Sequence, residues 1–427
     1  MSTMRRLGWP LFGAMAVSVG ILSSCSNPTT SSTGAARATT TTTSFPLRNG
    51  LTPIDETPGP VPSEYQSQYT QVQSEVSSFS KQVGRAPVHP STIIGTELLA
   101  ANGNIGTGLL VPGALSGVEA ELDAFQTLGI NAVTVDVSFP LLLSSTPQSS
   151  QYLSYYEQVA QQIRLRNMVL SVEENPIFSG TPLTSLSISY AGLTLASYAS
   201  EQQAQAQLIV DDLQPEYLTI LTEPDTFTDT LGIDLDTPGA AVEVVNDELD
   251  GLRRGNTAVG AGTGTWSDPA IDHELLVQTS IDYLDVHVYP LGPSAIFDLT
   301  TDVQAATAVH KTLVMDETWL NKPTPTEGSG PSGAPEELKV KSYSFWEPLD
   351  EQFVSAMVTY ARSHGFAYVS LFDGARCFFG YLTWSPTLDS ASYQDFSEQY
   401  NHLVKVDMSS RDISETGVAL YDAIHSN

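Results

Sequence analysis

Two glutamates in this sequence stand where short apolar runs stop. The run "EYLTILTEP" delivers Glu223 just before Pro224, and "TLVMDETW" delivers Glu317 two residues before Trp319. Between them, "YLDVHVYP" carries His287 and Tyr289. Two carboxyl groups can divide acid and base work between them when their surroundings push their proton affinities apart. A single Glu at the end of an apolar run is usually solvated or ion-paired. Two of them, with a His and a Tyr between, point to proton transfer or nucleophilic attack. More acids end other apolar runs: Glu97, Asp136, Glu173, Glu174 and Asp373. A supporting or structural role is expected for these, with Glu97 and Asp136 the candidates for touching a substrate.

Such side chains need a scaffold that brings distant run ends together. Eight runs read as strands: 92–98, 130–137, 167–174, 216–223, 257–264, 283–289, 312–317 and 367–373. They are nearly continuous in apolar residues, as strands buried on both faces are. Helical spacing fills the gaps, at 116–129, 151–166, 191–213, 238–255, 273–280, 302–311, 350–365 and 416–425. Gly129 and Gly255 follow two of these as stops, and Asp236 or Thr237 caps the fourth. Eight βα units predict an α/β fold, a (β/α)8 TIM barrel, over residues 91–427. The alternative is an open doubly wound sheet, but no G-x-G-x-x-G follows the first strand. Neither a P-loop nor G-x-S-x-G occurs. Long loops are expected after strands 7 and 8, the second with a helix near "SYQDFSEQYNHLV". In a barrel they lie on the C-terminal face, where active sites are built.

Residues 1–24 read as a signal peptide, with Arg5 and Arg6 before an apolar core from Leu7 to Leu22. The run "LSSC" ending in Cys25 resembles the lipobox of bacterial lipoproteins. That resemblance implies lipid on Cys25 and an extracytoplasmic, membrane-anchored protein of the bacterial cell envelope. Residues 25–60 are Ser/Thr/Pro-rich and predict an unfolded tether; residues 61–90 predict a helical lead-in. With Cys25 lipidated, Cys377 has no disulfide partner among the two cysteines. A net charge of −30 argues against nucleic acid and against lying flat on an anionic membrane. It suits a neutral substrate, since no charge attraction is then needed, and equally suits plain solubility. A monomer is expected.

Paired carboxylates are also what glycoside hydrolysis requires. "LTEP", "LDVHVYP" and "VMDETW", in that order at the ends of strands four, six and seven, resemble the motifs of the clan A glycoside hydrolases. Those are retaining (β/α)8 enzymes. The resemblance spans about residues 91–427 and implies Glu317 as nucleophile and Glu223 as acid/base. It further implies that Tyr289 donates a hydrogen bond to Glu317 and that His287 lines the sugar site. The motif departs at one place: the clan's Asn before the acid/base is Thr222 here. That Asn meets the sugar 2-hydroxyl, and Thr is shorter and has no amide.

Of five Trp, Trp9 lies in the signal, while Trp266, Trp319, Trp346 and Trp384 fall in segments expected on the C-terminal face. Trp266, Trp319 and Trp384 are candidates for stacking on sugar rings; simple loop packing is the competing role. The histidines show no zinc spacing, "DLDTPG" lacks calcium-loop spacing, and no metal or other cofactor is expected. Three readings remain: a retaining glycosidase on a neutral poly- or oligosaccharide, a non-catalytic carbohydrate-binding lipoprotein on the same barrel, and a barrel enzyme using its acids with a divalent metal.

Overall fold

The computed structural model describes residues 48–55, 57–84, 91–289, 291–322, 339, 342–372 and 374–425. The expected signal peptide, Cys25, most of the tether, residues 323–338 of the loop after the seventh strand, and Asp373 lie outside these residues. Eight parallel strands close into a barrel: β1 (Ile93–Glu97), β2 (Ala132–Asp136), β3 (Val169–Glu173), β4 (Tyr217–Thr219), β5 (Ala258–Gly264), β6 (Tyr283–His287), β7 (Thr312–Thr318) and β8 (Tyr368–Leu371). Each pairs with the next, and β8 pairs with β1. The closed barrel, not the open sheet, is therefore the fold. All strands but β7 fall short of the apolar runs that predicted them. β4 is shortest, because its chain leaves the ladder before Glu223 to start the helix Pro224–Leu231, which the sequence reading did not anticipate.

The interior is layered. At the lower end Tyr283 and Tyr368 pack with Ala132 and Val314, and Tyr217 closes over them. Gly260 makes this possible, because a Cβ there would lie 2.1 Å from the Tyr283 ring. Above the rings comes a belt of hydroxyls: Thr134 bonds the Tyr368 hydroxyl at 2.8 Å and Thr219 bonds that of Tyr283 at 2.7 Å. Above the belt the residues turn acidic, and this is where β1, β2, β3, β6 and β7 end.

Helices surround the barrel. Ala114–Leu128 stops at Gly129, whose φ of 93° is the left-handed geometry a C-terminal glycine serves. Pro238–Leu249 starts under the Thr237 hydroxyl, which accepts the Ala240 N–H at 3.3 Å, and ends at Asp250, short of Gly255. The lead-in is a packed helix, Gln66–Val83. Its Val72, Val76, Phe79 and Val83 recur at helical spacing and are buried. Phe79 meets Tyr360 at 5.5 Å on the helix Glu347–His364, and Tyr69 stacks on Trp346 at 5.4 Å. The tether expected to reach residue 60 is shorter than that. Leu51 is fully buried, Ile54 nearly so, and Thr52–Pro53 pair in parallel with Asp412–Ile413. A leucine and an isoleucine that find buried seats outweigh the Ser/Thr/Pro composition around them.

Candidate active site

Glu223 and Glu317 meet at one hydroxyl. Glu223 precedes Pro224, which occupies the first turn of its helix, where a missing N–H costs nothing. Glu317 reaches the interior through an irregularity: the β7–β8 register slips between Met315 and Thr318. A bulge of this kind lets two consecutive residues, Asp316 and Glu317, both turn inward. The Tyr289 hydroxyl lies 2.5 Å from Glu223 Oε1 and 2.6 Å from Glu317 Oε1. The two oxygens therefore stand no more than about 5 Å apart. Retaining glycosidases hold their carboxyls ~5–5.5 Å apart, inverting ones ~6.5–9.5 Å.

One hydroxyl carries one proton, so Tyr289 can donate to only one of the two carboxyls. The other short contact needs a proton on the carboxyl itself, and the pair thus holds one proton between them. Glu223 has further donors: His287 Nδ1 at 2.9 Å to Oε1, and the Thr226 hydroxyl at 2.8 Å to Oε2. Glu317 is held differently. Burial pushes its carboxyl up to about 8, against the pull of His287 and the Tyr289 hydrogen bond, and with Glu223 pushing the same way. Burial thus favours the protonated form of Glu317.

His287 does not line an open sugar site. It lies beneath the pair, fully buried, with Nε2 3.1 Å from both Glu173 Oε1 and Asp285 Oδ2. Burial alone would lower its proton affinity, but Asp285 and Glu173 raise it well above the usual imidazole range. An imidazolium, donating from both nitrogens, satisfies this setting. Asp136 accepts from Asn102 and Asn175 at 2.5 Å each; burial brings it to about 6. Asp316 accepts from Ser171 at 2.7 Å and Thr219 at 2.5 Å; burial, then Asp285, brings it to about 7. Burial raises Glu97 and Glu173 well above the carboxylate range; neighbouring acids add to this at Glu97, while His287 opposes it at Glu173.

Thr222 does not reach out as the absent Asn would. Its hydroxyl donates to Asn175 Oδ1 at 2.9 Å, and Asn175 in turn donates to Glu173 Oε2 at 3.2 Å as well as to Asp136. The site thus has a carboxamide, supplied from the end of β3. Glu174 faces away, accepting from Gln205 at 3.1 Å and sharing a hydrogen bond with Glu248 on the helix Pro238–Leu249. Two candidate metal sets bring ligand atoms within 4.8 Å of one another: Glu173, Asp285 and His287, and Glu97, Glu173 and Glu317. In the first, both His287 nitrogens already face carboxylates.

The tryptophans divide. Trp266 stacks on Tyr289 at 4.5 Å and donates to Asp225 at 3.0 Å, and Trp319 packs on Tyr289 at 4.8 Å. Gly264 admits Trp266 here, because a Cβ would lie 2.2 Å from its ring. Trp346 instead fastens the lead-in helix, and Trp384 packs on the main core. With Leu99, Phe178, Leu183 and Phe372, the Tyr289 and Trp319 rings form an apolar cluster beside the pair. Glu223 is 0% and Glu317 1% exposed. Phe178 and Leu183 come from the chain between β3 and the helix Leu195–Leu208, a third long connection that the sequence reading did not single out.

The sequence reading passed over Asn175, Asp285, Asp316, Thr226 and Asp225. Asp285 was open to inference, since it stands two residues before His287 and so shares its face of the strand. Asp316 was masked by its neighbour, because only the bulge puts both inside.

No family model matches the chain, and no curated protein matches it. Several solved structures are similar to it. They include a GH5_18 protein from Bifidobacterium longum subsp. longum in complex with Manb1-4GlcNAc, at 10% identity and TM-score 0.49, covering 78% of each chain. A GH5_18 protein from Streptomyces cattleya, also with Manb1-4GlcNAc, has 15% identity and TM-score 0.47, covering 78% of this chain and 80% of that one. Cel5A from Thermotoga maritima, in complex with mannotriose, has 12% identity and TM-score 0.44, covering 73% and 98%. These neighbours are clan A glycoside hydrolases with an eight-stranded parallel barrel.

Proposed function

We propose that this barrel is a retaining glycoside hydrolase acting on a poly- or oligosaccharide, with Glu317 as nucleophile and Glu223 as acid/base. The observation that carries the reading is the Tyr289 hydroxyl bound to both carboxyls, which puts them at retaining distance with one proton between them. Double displacement needs one proton on that pair, on Glu223 when Glu317 attacks the anomeric carbon. Since burial favours it on Glu317, arming the pair moves it across Tyr289. The Glu317 proton passes to the tyrosine oxygen as the tyrosine proton passes to Glu223. His287 positions Glu223 from below, and Trp266 and Trp319 offer ring faces above. A substrate reaches them only when Phe178, Leu183 and Leu99 move aside. The test is a panel of aryl glycosides and natural glycans with wild type, Glu317→Gln and Glu223→Gln. Cleavage with retained anomeric configuration, lost in Glu317→Gln, is expected; a Glu317→Gln variant as active as wild type sinks the reading.

The buried carboxyls and Thr222 favour a second reading, a barrel that holds glycan without cutting it. Glycan binding with no turnover by wild type would decide for it. The proposal also places the barrel outside the cytoplasm on a lipid at Cys25. Labelling with a radioactive fatty acid, lost in Cys25→Ala, checks that.

A further inference from the structure

We infer that the floor of the site, formed by Glu97, Glu173 and Glu317, binds the free ammonium group of a 2-amino-2-deoxy sugar. This rests on the glycosidase reading and narrows its substrate, replacing the neutral glycan that overall charge suggested. The overall charge is mostly a surface property; the acids that matter here are inside.

Seven buried carboxyls crowd the upper barrel: Glu97, Asp136, Glu173, Glu223, Asp285, Asp316 and Glu317. Among the described residues their one cationic partner is His287. Six of the seven have donors within the protein: Asn102 and Asn175 for Asp136, His287 and Asn175 for Glu173, the Asp316 N–H for Asp285, and those given above for the rest. Glu97 is the exception. It is 2% exposed, and its Oε1 has no hydrogen-bond partner. A buried acceptor left without a partner is unfavourable, so its survival points to something that meets it only when bound. Glu97 brings that oxygen-bearing group within 4.8 Å of carboxylate oxygens of Glu173 and Glu317.

Three acceptors from β1, β3 and β7 around one point suit a donor with three hydrogens and a positive charge. An ammonium has both, whereas a sugar hydroxyl has one hydrogen and no charge. The position of Glu317 fixes where the amine belongs. Glu317 must face the anomeric carbon to attack it, and C2 is bonded to that carbon. An amine on C2 is therefore carried to Glu317 by the same pose that aligns the reaction. A metal ion held by Glu317 would instead occupy the attacking oxygen. The ammonium has a second effect: a cation beside Glu317 favours its anion and drives the shared proton through Tyr289 to Glu223. The substrate would arm the pair that cuts it.

The test compares 4-nitrophenyl 2-amino-2-deoxy-β-glycosides (gluco and manno) with their neutral and N-acetylated parents. Expected for wild type is a kcat/KM at least about tenfold higher for one amino sugar than for its neutral parent, with that ratio falling by about tenfold or more in Glu97→Gln. Neutral glycosides cleaved equally well or better, with a ratio that Glu97→Gln leaves alone, overturn this inference and leave the glycosidase reading standing. If no glycoside is cleaved, that reading falls, and calorimetry decides the ammonium site separately. Glucosamine or mannosamine binding that glucose, mannose and N-acetylglucosamine do not show, and that Glu97→Gln abolishes, supports it. Calcium or magnesium binding at this site, without amine binding, overturns it.

Discussion

Asp316 offers a direct check on the buried acids. It is fully buried beneath Glu223 and Glu317, accepts hydroxyls from Ser171 and Thr219, and is pushed up to about 7 by burial first and Asp285 second. An unfolded aspartate titrates near 3.8. The folded state therefore favours the protonated form. Its contribution to stability is fully present below about pH 3.8 and is lost as pH rises through about 7. A shift of this size corresponds to roughly 3 kcal/mol between about pH 5 and pH 8 for a group acting alone. With an unfolding entropy of about 2.1 cal/mol/K per residue, a chain of this size shifts by about 3–4 °C in Tm. Asp136 at about 6, Asp225 at about 7 and Glu317 at about 8 add to the fall in wild type, so the informative quantity is a difference. Asp316→Asn keeps an acceptor for one of the two hydroxyls, offers its NH2 to the other, and has no proton to lose. Calorimetric scans of both proteins across that range at fixed ionic strength should show the wild-type Tm falling with pH and the variant falling less. A wild-type Tm that is level or rises with pH, or a variant curve parallel to it, would refute the reasoning.

Tyr289→Phe removes the shared hydroxyl; losing a hydrogen bond to a charged partner, ~1.5–3 kcal/mol, predicts a kcat lower by roughly 10–150-fold on any cleaved glycoside. Gly264→Ala drives a methyl into the Trp266 ring, so Trp266 fluorescence should shift and KM rise about 2–10-fold as stacking on Tyr289 is lost. Trp346→Ala strips the seat of the lead-in helix and should cost about 3–5 kcal/mol in urea unfolding, with activity per folded molecule unchanged.

The barrel was legible because buried parallel strands are apolar on both faces, and eight such runs alternate with helices. The order of Glu223, His287, Tyr289 and Glu317 along those runs was legible for the same reason. What was hidden is what periodicity does not encode. The bulge at Met315–Thr318 turns two adjacent acids inward, where alternation allows one. Thr222 is a departure only in one dimension, since Asn175 arrives from another strand to stand beside it. Composition misplaced the end of the tether, because Leu51 and Ile54 are too few to register in a window yet enough to dock. Trp346 and Trp384 show the limit of counting aromatics by segment: both follow the expected strands, and both pack elsewhere.

The apolar cluster beside the pair has a consequence for any affinity measured on this protein. On the proposed reading ligand meets only molecules in which Phe178, Leu183 and Leu99 have moved, and the observed Kd is then the intrinsic one divided by the fraction open. A site open in about one molecule in a hundred would bind about a hundredfold more weakly than its contacts allow. Loosening the cluster would then tighten binding without adding a single contact to the sugar, and weak binding by the resting protein would say little about how well the site fits its ligand.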